Sequence, residues 1–465
     1  MNLDRPYFFS GIGGSGMLPL ALILLGKGVT VSGSDRARDQ GRTPEKFAFL
    51  ESRGVKLFPQ DGSGVADPRT VVVTSAAVEA TVPDVVQARA VGAELMVRAE
   101  LLADLFNASP HSIGVAGTSG KSTTTGMIGW MLYALGRDPT VMNGAVMKNF
   151  TTSDAPFASA LVGKSGLFVS EVDESDGSIA RYTPDIAVVN NISLDHKSMD
   201  ELRTLFSDFT VKARVAILNL DNSETAGLAA KLEKGRVITY SLSNAAADLV
   251  AENIKPRPDG IDFDLRAEGQ ALSVHLQLPG RHNISNALAA LAVVKSAGVA
   301  LSDAVEALAK FSGVRRRLEV VGTANDITVI DDFAHNPDKI AATLETLHHF
   351  PGRLLILFQP HGFGPLRLMK NEFIRCFTDN LGRDDILIMP EPVYFGGTTD
   401  RSVSSGDIVD GVKAAGREAF AFADREQCGQ KLLALARPGD RILVMGARDD
   451  TLSQFATDLV AALKN

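Results

Sequence analysis

The stretch Gly117-Thr118-Ser119-Gly120-Lys121-Ser122-Thr123 combines the residue types that hold a nucleoside triphosphate. Small residues let several backbone N–H groups point into one concavity, a following helix adds its positive end, and a lysine reaches the outer phosphates. On that reading Ser122 would be the hydroxyl placed to meet Mg2+. The loop is a variant of the G-x-x-x-x-G-K-[ST] pattern, since the first glycine would stand at Val115 and the nearest one is Gly114. A plain glycine-rich turn with a solvated Lys121 is the alternative. The setting, between an apolar run at 112–116 and a helix-like run at 124–135, favours the phosphate loop.

Three more clusters have chemical potential. Gly11-Ile12-Gly13-Gly14-Ser15-Gly16 lies between a short strand pattern at 7–10 and a helical pattern at 17–25, and a second strand at 30–33 ends at Ser34-Asp35. This βαβ unit carries the G-x-G-x-x-G fingerprint and would seat a diphosphate on the helix N-terminus with a ribose near Asp35; a ligand-free packing turn is the alternative. Glu171-Val172-Asp173-Glu174-Ser175-Asp176 puts four carboxylates in six residues, which suggests a cation site or a strained functional turn, against a solvated acidic loop. Asp195-His196 follows an apolar strand expected at 186–192 that ends in Asn190-Asn191. In that company a metal-binding or metal-orienting role is favoured for His196, which in isolation reads as a structural histidine.

The elements that must position these clusters are alternating strands and helices. Further strands are expected at 70–74, leading into Ser75-Ala76-Ala77, and at 167–170, 272–278, 327–330, 353–358, 385–389 and 441–445. Open α/β sheets place ligands at the carboxyl ends of strands, where the phosphate loop, the acidic cluster and Asp195-His196 all fall. Asn283 and Asn286 read as helix-capping residues, and 313–317, with Arg315, Arg316 and Arg317, as a solvated basic turn. The 465 residues suggest about three α/β domains, at 1–108, 109–322 and 323–465. The fold class is α/β, with a Rossmann-like first domain, a P-loop ATPase-like central one and a Rossmann-like third.

Composition excludes several classes. The net charge of −8 with scattered basic residues argues against a nucleic-acid partner. Cys376 and Cys428 are too few for a disulfide framework and lack metal-ligand spacing. No targeting or membrane segment is read, because the most apolar N-terminal run, 17–25, is short and contains Pro19. The expectation is a cytoplasmic protein with no membrane partner.

Taken together, these motifs, with Gly280-Arg281-His282-Asn283 and Asp331-Asp332-Phe333-Ala334-His335-Asn336-Pro337, resemble the Mur ligases of peptidoglycan synthesis across nearly the whole chain. The glycine loop and the Asp-Glu-Ser-Asp stretch look most like the branch that adds L-alanine, or in recycling a preformed tripeptide, to UDP-N-acetylmuramate. The resemblance implies ATP and Mg2+ as cofactors, an acyl phosphate on the lactyl carboxylate, and attack on it by an amine. It places Gly117, Thr118, Ser119, Gly120, Lys121, Ser122 and Thr123 on the ATP phosphates, Asn283 at the adenine, and Arg317 and Asp331 at the ribose and phosphates. Ser122, Glu171 and His196 would surround Mg2+, with Lys121, Glu171 and His196 as catalytic residues and His196 alternatively the base. Gly11, Gly13, Gly14, Gly16, Asp35 and Ser75 would hold the UDP-sugar. His335, His361, Arg367 and Arg448 would meet the acceptor. Domain closure would keep water from the acyl phosphate.

Several positions depart from that branch. Ser119 and Asn336 stand where histidines are usual, and Gly362 stands where an arginine is expected after His361, which opens the acceptor to a tripeptide or another amine. Phe206 occupies the place of the carbamylated lysine of several Mur ligases, which the alanine-adding branch also commonly lacks. Two other classes compete: a nicotinamide oxidoreductase, which leaves the second loop and the acidic cluster without a task, and a noncatalytic nucleotide-binding homologue. The sequence leaves the oligomeric state open.

Overall fold

The structure, a computed structural model, describes residues 3–75, 78–194, 197–257, 260–393, 401–447, 449 and 451–464. Asp195, His196 and Arg448, singled out above, lie outside the described residues. The chain forms two compact units, Met1–Gln277 with His282–Val314, and Leu278–Arg281 with Arg315–Asn465.

The first unit contains two sheets. The smaller is formed by β1 (Tyr7–Ser10), β2 (Val31–Ser34), β3 (Lys56–Phe58), β4 (Val71–Thr74) and β5 (Glu94–Val97), in the order β3-β2-β1-β4-β5. All its pairings are parallel. Short β-branched and aromatic runs such as Val71–Val73 are buried on both faces, as a helix-covered parallel sheet requires. Strand order reverses between β1 and β4, so the loop after β1 opens at the crevice where this architecture binds ligands.

The larger sheet has β6 (His111–Ala116), β7 (Thr140–Met142), β8 (Ala160–Leu161), β9 (Leu167–Glu171), β10 (Ile186–Val189), β11 (Val215–Asn219), β12 (Val237–Ser241), β13 (Leu249–Arg257), β14 (Gly260–Ala267) and β15 (Gln270–Leu276). Its order is β15-β14-β13-β12-β11-β10-β6-β9-β7-β8. The block from β7 to β13 is parallel, while β8, β14 and β15 add antiparallel edges. The two sheets share one apolar core, in which Phe106 packs edge-on against Phe168 and Tyr182.

The second unit has β16 (Glu319–Ala324), β17 (Ile327–Asp332), β18 (Leu354–Gln359), β19 (Ile386–Pro390), β20 (Glu418–Phe422) and β21 (Arg441–Gly446), in the order β16-β17-β21-β18-β19-β20. Only β16 is antiparallel to its neighbour. Apolar clusters cover both faces of this sheet.

Several expectations are corrected. The helix expected at 124–135 is Lys121–Ala134, so the loop lysine is its first residue. The strand expected to reach 192 stops at Val189, because Asn190 and Asn191 turn their amides onto the phosphate loop. Asn283 and Asn286 lie inside the helix Arg281–Ser296 rather than before it, and both are buried. The basic turn is not simply solvated, since Arg316 is buried. β16 runs across the expected boundary at 322/323, and the second unit resumes at Arg315. Both cysteines are buried, and burial pushes each thiol up to about 12. Among the described residues, no helix is long and apolar enough to cross a membrane.

Candidate active site

The phosphate loop closes on itself through residues from adjacent strand ends. β6 leads into it, β9 on one side ends at Glu171, and β10 on the other leads into Asn190-Asn191. Gly117 and Gly120 have φ of +130° and +83°, backbone that side-chain-bearing residues rarely adopt. The Asn191 backbone carbonyl accepts the Thr118 N–H at 3.1 Å, and its side-chain Oδ1 accepts the Ser119 N–H at 2.9 Å. Thr118 Oγ1 donates to the Ser193 carbonyl at 3.2 Å, and Asn190 Nδ2 donates to Thr124 Oγ1 at 3.0 Å. Thr124 in turn donates to Asn286 Oδ1 at 3.2 Å, and Asn286 Nδ2 to Asn283 Oδ1 at 3.2 Å. An amide relay thus ties the start of the Arg281–Ser296 helix to the loop. Thr123 is buried beneath it.

Lys121 Nζ donates to the Gly117 carbonyl at 2.6 Å and to Glu174 Oε2 at 2.9 Å. Glu174 is buried, and burial pushes its carboxyl above the usual range although Lys121 partly offsets that. Burial also works against neighbouring Asp173, but Lys121, hydrogen bonds from Ser175 and Arg98 together hold it below the ordinary value. The acidic cluster is therefore a built turn rather than a solvated loop: Asp173 accepts the Ser175 N–H and Asp176 the Ser178 N–H.

The donor set fits Mg2+. Ser122 Oγ lies 3.2 Å from Glu171 Oε2, and the other Glu171 oxygen accepts the Gly144 N–H at 2.6 Å. A hydroxyl and one carboxylate beside a phosphate site are the hard oxygen ligands that Mg2+ takes in company with nucleotide phosphates. Among the described residues no cluster of three or more His, Cys, Asp or Glu forms an all-protein cage.

The first glycine loop is organised by Asp35, which accepts the Gly13 N–H and the Ala37 N–H, both at 2.8 Å. Lys46 Nζ adds a bond to the Gly13 carbonyl at 3.1 Å. Gly11 has a positive φ, Gly14 bonds back to Gly11, and Gly16 precedes the helix Met17–Gly26. A Cβ added at Gly16 would come within 3.0 Å of the Arg98 side chain, which reaches Asp176 at 3.9 Å. Sequence reading passed over Arg98, which carries no motif. Ser75 follows β4 and accepts the Val78 N–H at its carbonyl.

In the second unit, His335 and His361 stand past the ends of β17 and β18, their rings edge to face at 5.2 Å. His335 Nδ1 is 2.9 Å from the Phe333 carbonyl and must donate to it, which leaves Nε2 as an acceptor. Burial, then Lys339, pushes His335 down to about 3, so it is neutral at physiological pH. Arg367 is exposed on the helix Phe363–Leu368, after Gly362 with φ of +151°. Asp331 is fully buried with both oxygens engaged, by Arg316 Nε at 3.3 Å and Ser453 Oγ at 2.8 Å. Arg316, not Arg317, is thus its partner, while the Arg317 guanidinium lies 4.8 Å from the Phe333 ring centre.

Two glycine loops at strand ends, one with a lysine and hard oxygen donors, are the features that a nucleotide-dependent enzyme requires. Three family models match the chain: "Mur ligase family, catalytic domain" over residues 6–110, "Mur ligase middle domain" over 115–294, and "Mur ligase, glutamate ligase domain" over 316–448. The chain belongs to the Mur ligase family, whose members are ATP-dependent, amide-forming ligases, and it has that family's three-domain α/β architecture.

Curated relatives include the UDP-N-acetylmuramate–L-alanine ligase of Agrobacterium fabrum, 34% identical over 98% of this chain and 96% of that one. That of Geobacter sulfurreducens is 37% identical over 94% of each chain. Among solved structures, the UDP-N-acetylmuramate-alanine ligase of Thermotoga maritima is 25% identical and covers 99% of both chains at a TM-score of 0.80. A murein peptide ligase of Psychrobacter arcticus is 25% identical over 99% of each chain at a TM-score of 0.73.

Proposed function

We propose that this chain joins L-alanine to the lactyl carboxylate of UDP-N-acetylmuramate in peptidoglycan precursor synthesis, at the expense of ATP. The observation that carries the chemistry is the convergence of Lys121, Ser122 and Glu171 at adjacent strand ends, where a cation and metal-binding oxygens sit on one phosphate loop. The full-length relatives that carry this activity in their names support the choice of substrates.

The carboxylate oxygen takes the γ-phosphoryl group of ATP, giving ADP and an acyl phosphate. The amine then attacks the acyl carbon and phosphate leaves with that oxygen. Lys121 and the loop N–H groups offset repulsion between the two anions. Ser122, Glu171 and His196 would hold Mg2+, which supplies further charge neutralisation when bound. Gly117, Thr118, Ser119, Gly120 and Thr123 shape the phosphate cradle, with Asn283 at the adenine and Arg317 at the ribose and phosphates. Asp331, which accepts from Arg316 and Ser453, is proposed with Arg317 at the ribose and phosphates. Gly11, Gly13, Gly14, Gly16, Asp35 and Ser75 form the UDP-sugar end, where Arg98 adds a cation. His335, neutral with Nε2 as an acceptor and its ring beside that of His361, suits an incoming ammonium, while Arg367 and Arg448 would supply positive charge for the acceptor's carboxylate. The three domains are proposed at 1–108, 109–314 and 315–465, the last boundary moved from 322/323 because β16 belongs to the third sheet. The cytoplasm, where ATP and the sugar nucleotide meet, is the proposed location.

A second reading keeps the sugar nucleotide and changes the acceptor to the L-alanyl-γ-D-glutamyl-diaminopimelate tripeptide. Gly362 favours it, because a residue without a side chain stands where the alanine-adding branch carries a cation. Phosphate release with MgATP and UDP-N-acetylmuramate separates the two when L-alanine, glycine, L-serine and the tripeptide are compared and products are weighed by mass spectrometry. Preference for L-alanine is expected. Turnover with the tripeptide alone would move the enzyme to recycling, and no turnover with any of the four would contradict ligation.

A further inference from the structure

The carboxyl ends of β18 and β21 are joined by a network that the proposed chemistry does not use. Asp449, just past β21, accepts through Oδ2 from Gln359 Nε2 at 2.8 Å and from Arg425 Nη1 at 2.9 Å. Gln359 is the last residue of β18, two before His361, and Asp449 directly follows Arg448 in sequence. Arg425 opens the helix Arg425–Leu435, donates from Nη2 to Thr451 Oγ1 at 2.8 Å, and lies 5.3 Å from the Phe455 ring centre. Thr451 donates back to Asp449 Oδ1 at 2.6 Å. On the other side, Arg316 donates to the backbone carbonyls of Gly446 at 2.7 Å and Asp449 at 3.2 Å. Burial works against the Asp449 carboxylate, but bonds from Thr451 and Gln359 and the charge of Arg425 outweigh it and hold it ionised.

We propose that Arg425, acting through Asp449, is a positioning residue that sets the affinity for the incoming amine by holding Asp449 against Gln359 at the end of β18, two residues before His361. The inference rests on the acceptor reading above, which assigns His361 to the incoming amine. A three-quarters-buried arginine side chain joining the residues at two strand ends is a costly way to stabilise a sheet whose strands are already paired along their length. Its geometric effect is to hold the two segments within hydrogen-bonding distance of one carboxylate. Small displacements of positioning groups cost rate or affinity steeply.

The test is steady-state kinetics of the full-length enzyme with each of the three substrates varied in turn, for Arg425→Gln and Arg425→Lys. Arg425→Gln should raise KM for L-alanine about tenfold or more, with kcat at saturation and both other KM values within about twofold of the parent, and Arg425→Lys should recover part of the loss. Unchanged KM for L-alanine, or equal rises in all three KM values with a lowered melting temperature, would overturn the proposal and leave Arg425 a structural residue. Should the glutamine variant fail to fold, the lysine variant decides by the same criteria. A parent enzyme without amine-dependent turnover would refute the acceptor reading itself, and the inference with it.

Discussion

Lys121→Ala is expected to lower phosphate release by about 10³-fold or more, because one side chain supplies the cation that lets a carboxylate approach the γ-phosphate. The same substitution should also destabilise the protein. Glu174 is only 4% exposed, and the charge of Lys121 followed by its hydrogen bond are the largest interactions that partly offset burial of the carboxylate. Removing one partner of a buried pair typically costs about 3–5 kcal/mol, and the value here should lie toward the low end because burial already favours the neutral carboxyl. Lys121→Ala combined with Glu174→Gln should therefore recover most of the stability in thermal unfolding and none of the activity. Turnover near the parental rate in either variant would remove this loop from the chemistry.

Gly120→Ala is expected to cost about 10²-fold or more in kcat/KM for ATP, by a different route. The glycine sits at φ +83°, and a Cβ there would lie 2.4 Å from Asn286 Oδ1 and 2.7 Å from Asn190 Nδ2. The backbone strain alone is about 1–2 kcal/mol, and the contacts force apart the two amides that organise the loop. Adding Asn286→Ala relieves the closer contact but not the strain, so partial recovery is expected. A Gly120→Ala enzyme with parental kinetics would show that the loop tolerates an opening these contacts deny it.

Much of this site was legible in the sequence because its parts follow strands directly. Gly117 to Ser122 and Gly11 to Gly16 each carry a local pattern whose meaning is fixed by the strand before and the helix after. Glu171 and Asn191 were expected at strand ends, and the sheet order β10-β6-β9 sets them on either side of the phosphate loop that follows β6. What could not be read is long-range. Asn286 looked like a helix cap, and only its meeting with Thr124, 162 positions away, shows it as part of the loop. Arg316 and Arg317 are indistinguishable in a run of three arginines, and burial against Asp331 selects the first. Arg98, Arg425 and Asp449 belong to no motif, and their partners lie in other elements. Of the antiparallel strands at the edge of the large sheet, β15 was expected at 272–278, whereas β13 and β14 were passed over although Ile261, Phe263, Leu265 and Ala267 alternate strictly with Asp262, Asp264 and Arg266 along β14.

The most direct test of the central claim uses UDP-N-acetylmuramate labelled with 18O in its lactyl carboxylate. Ligation through an acyl phosphate must carry one carboxylate oxygen into the released phosphate and leave the other in the amide. The expected result is one 18O per phosphate formed, in step with amide product and dependent on ATP, Mg2+ and L-alanine. Phosphate free of label while ATP is consumed would mean that water, not the carboxylate, accepts the phosphoryl group, and would contradict the account.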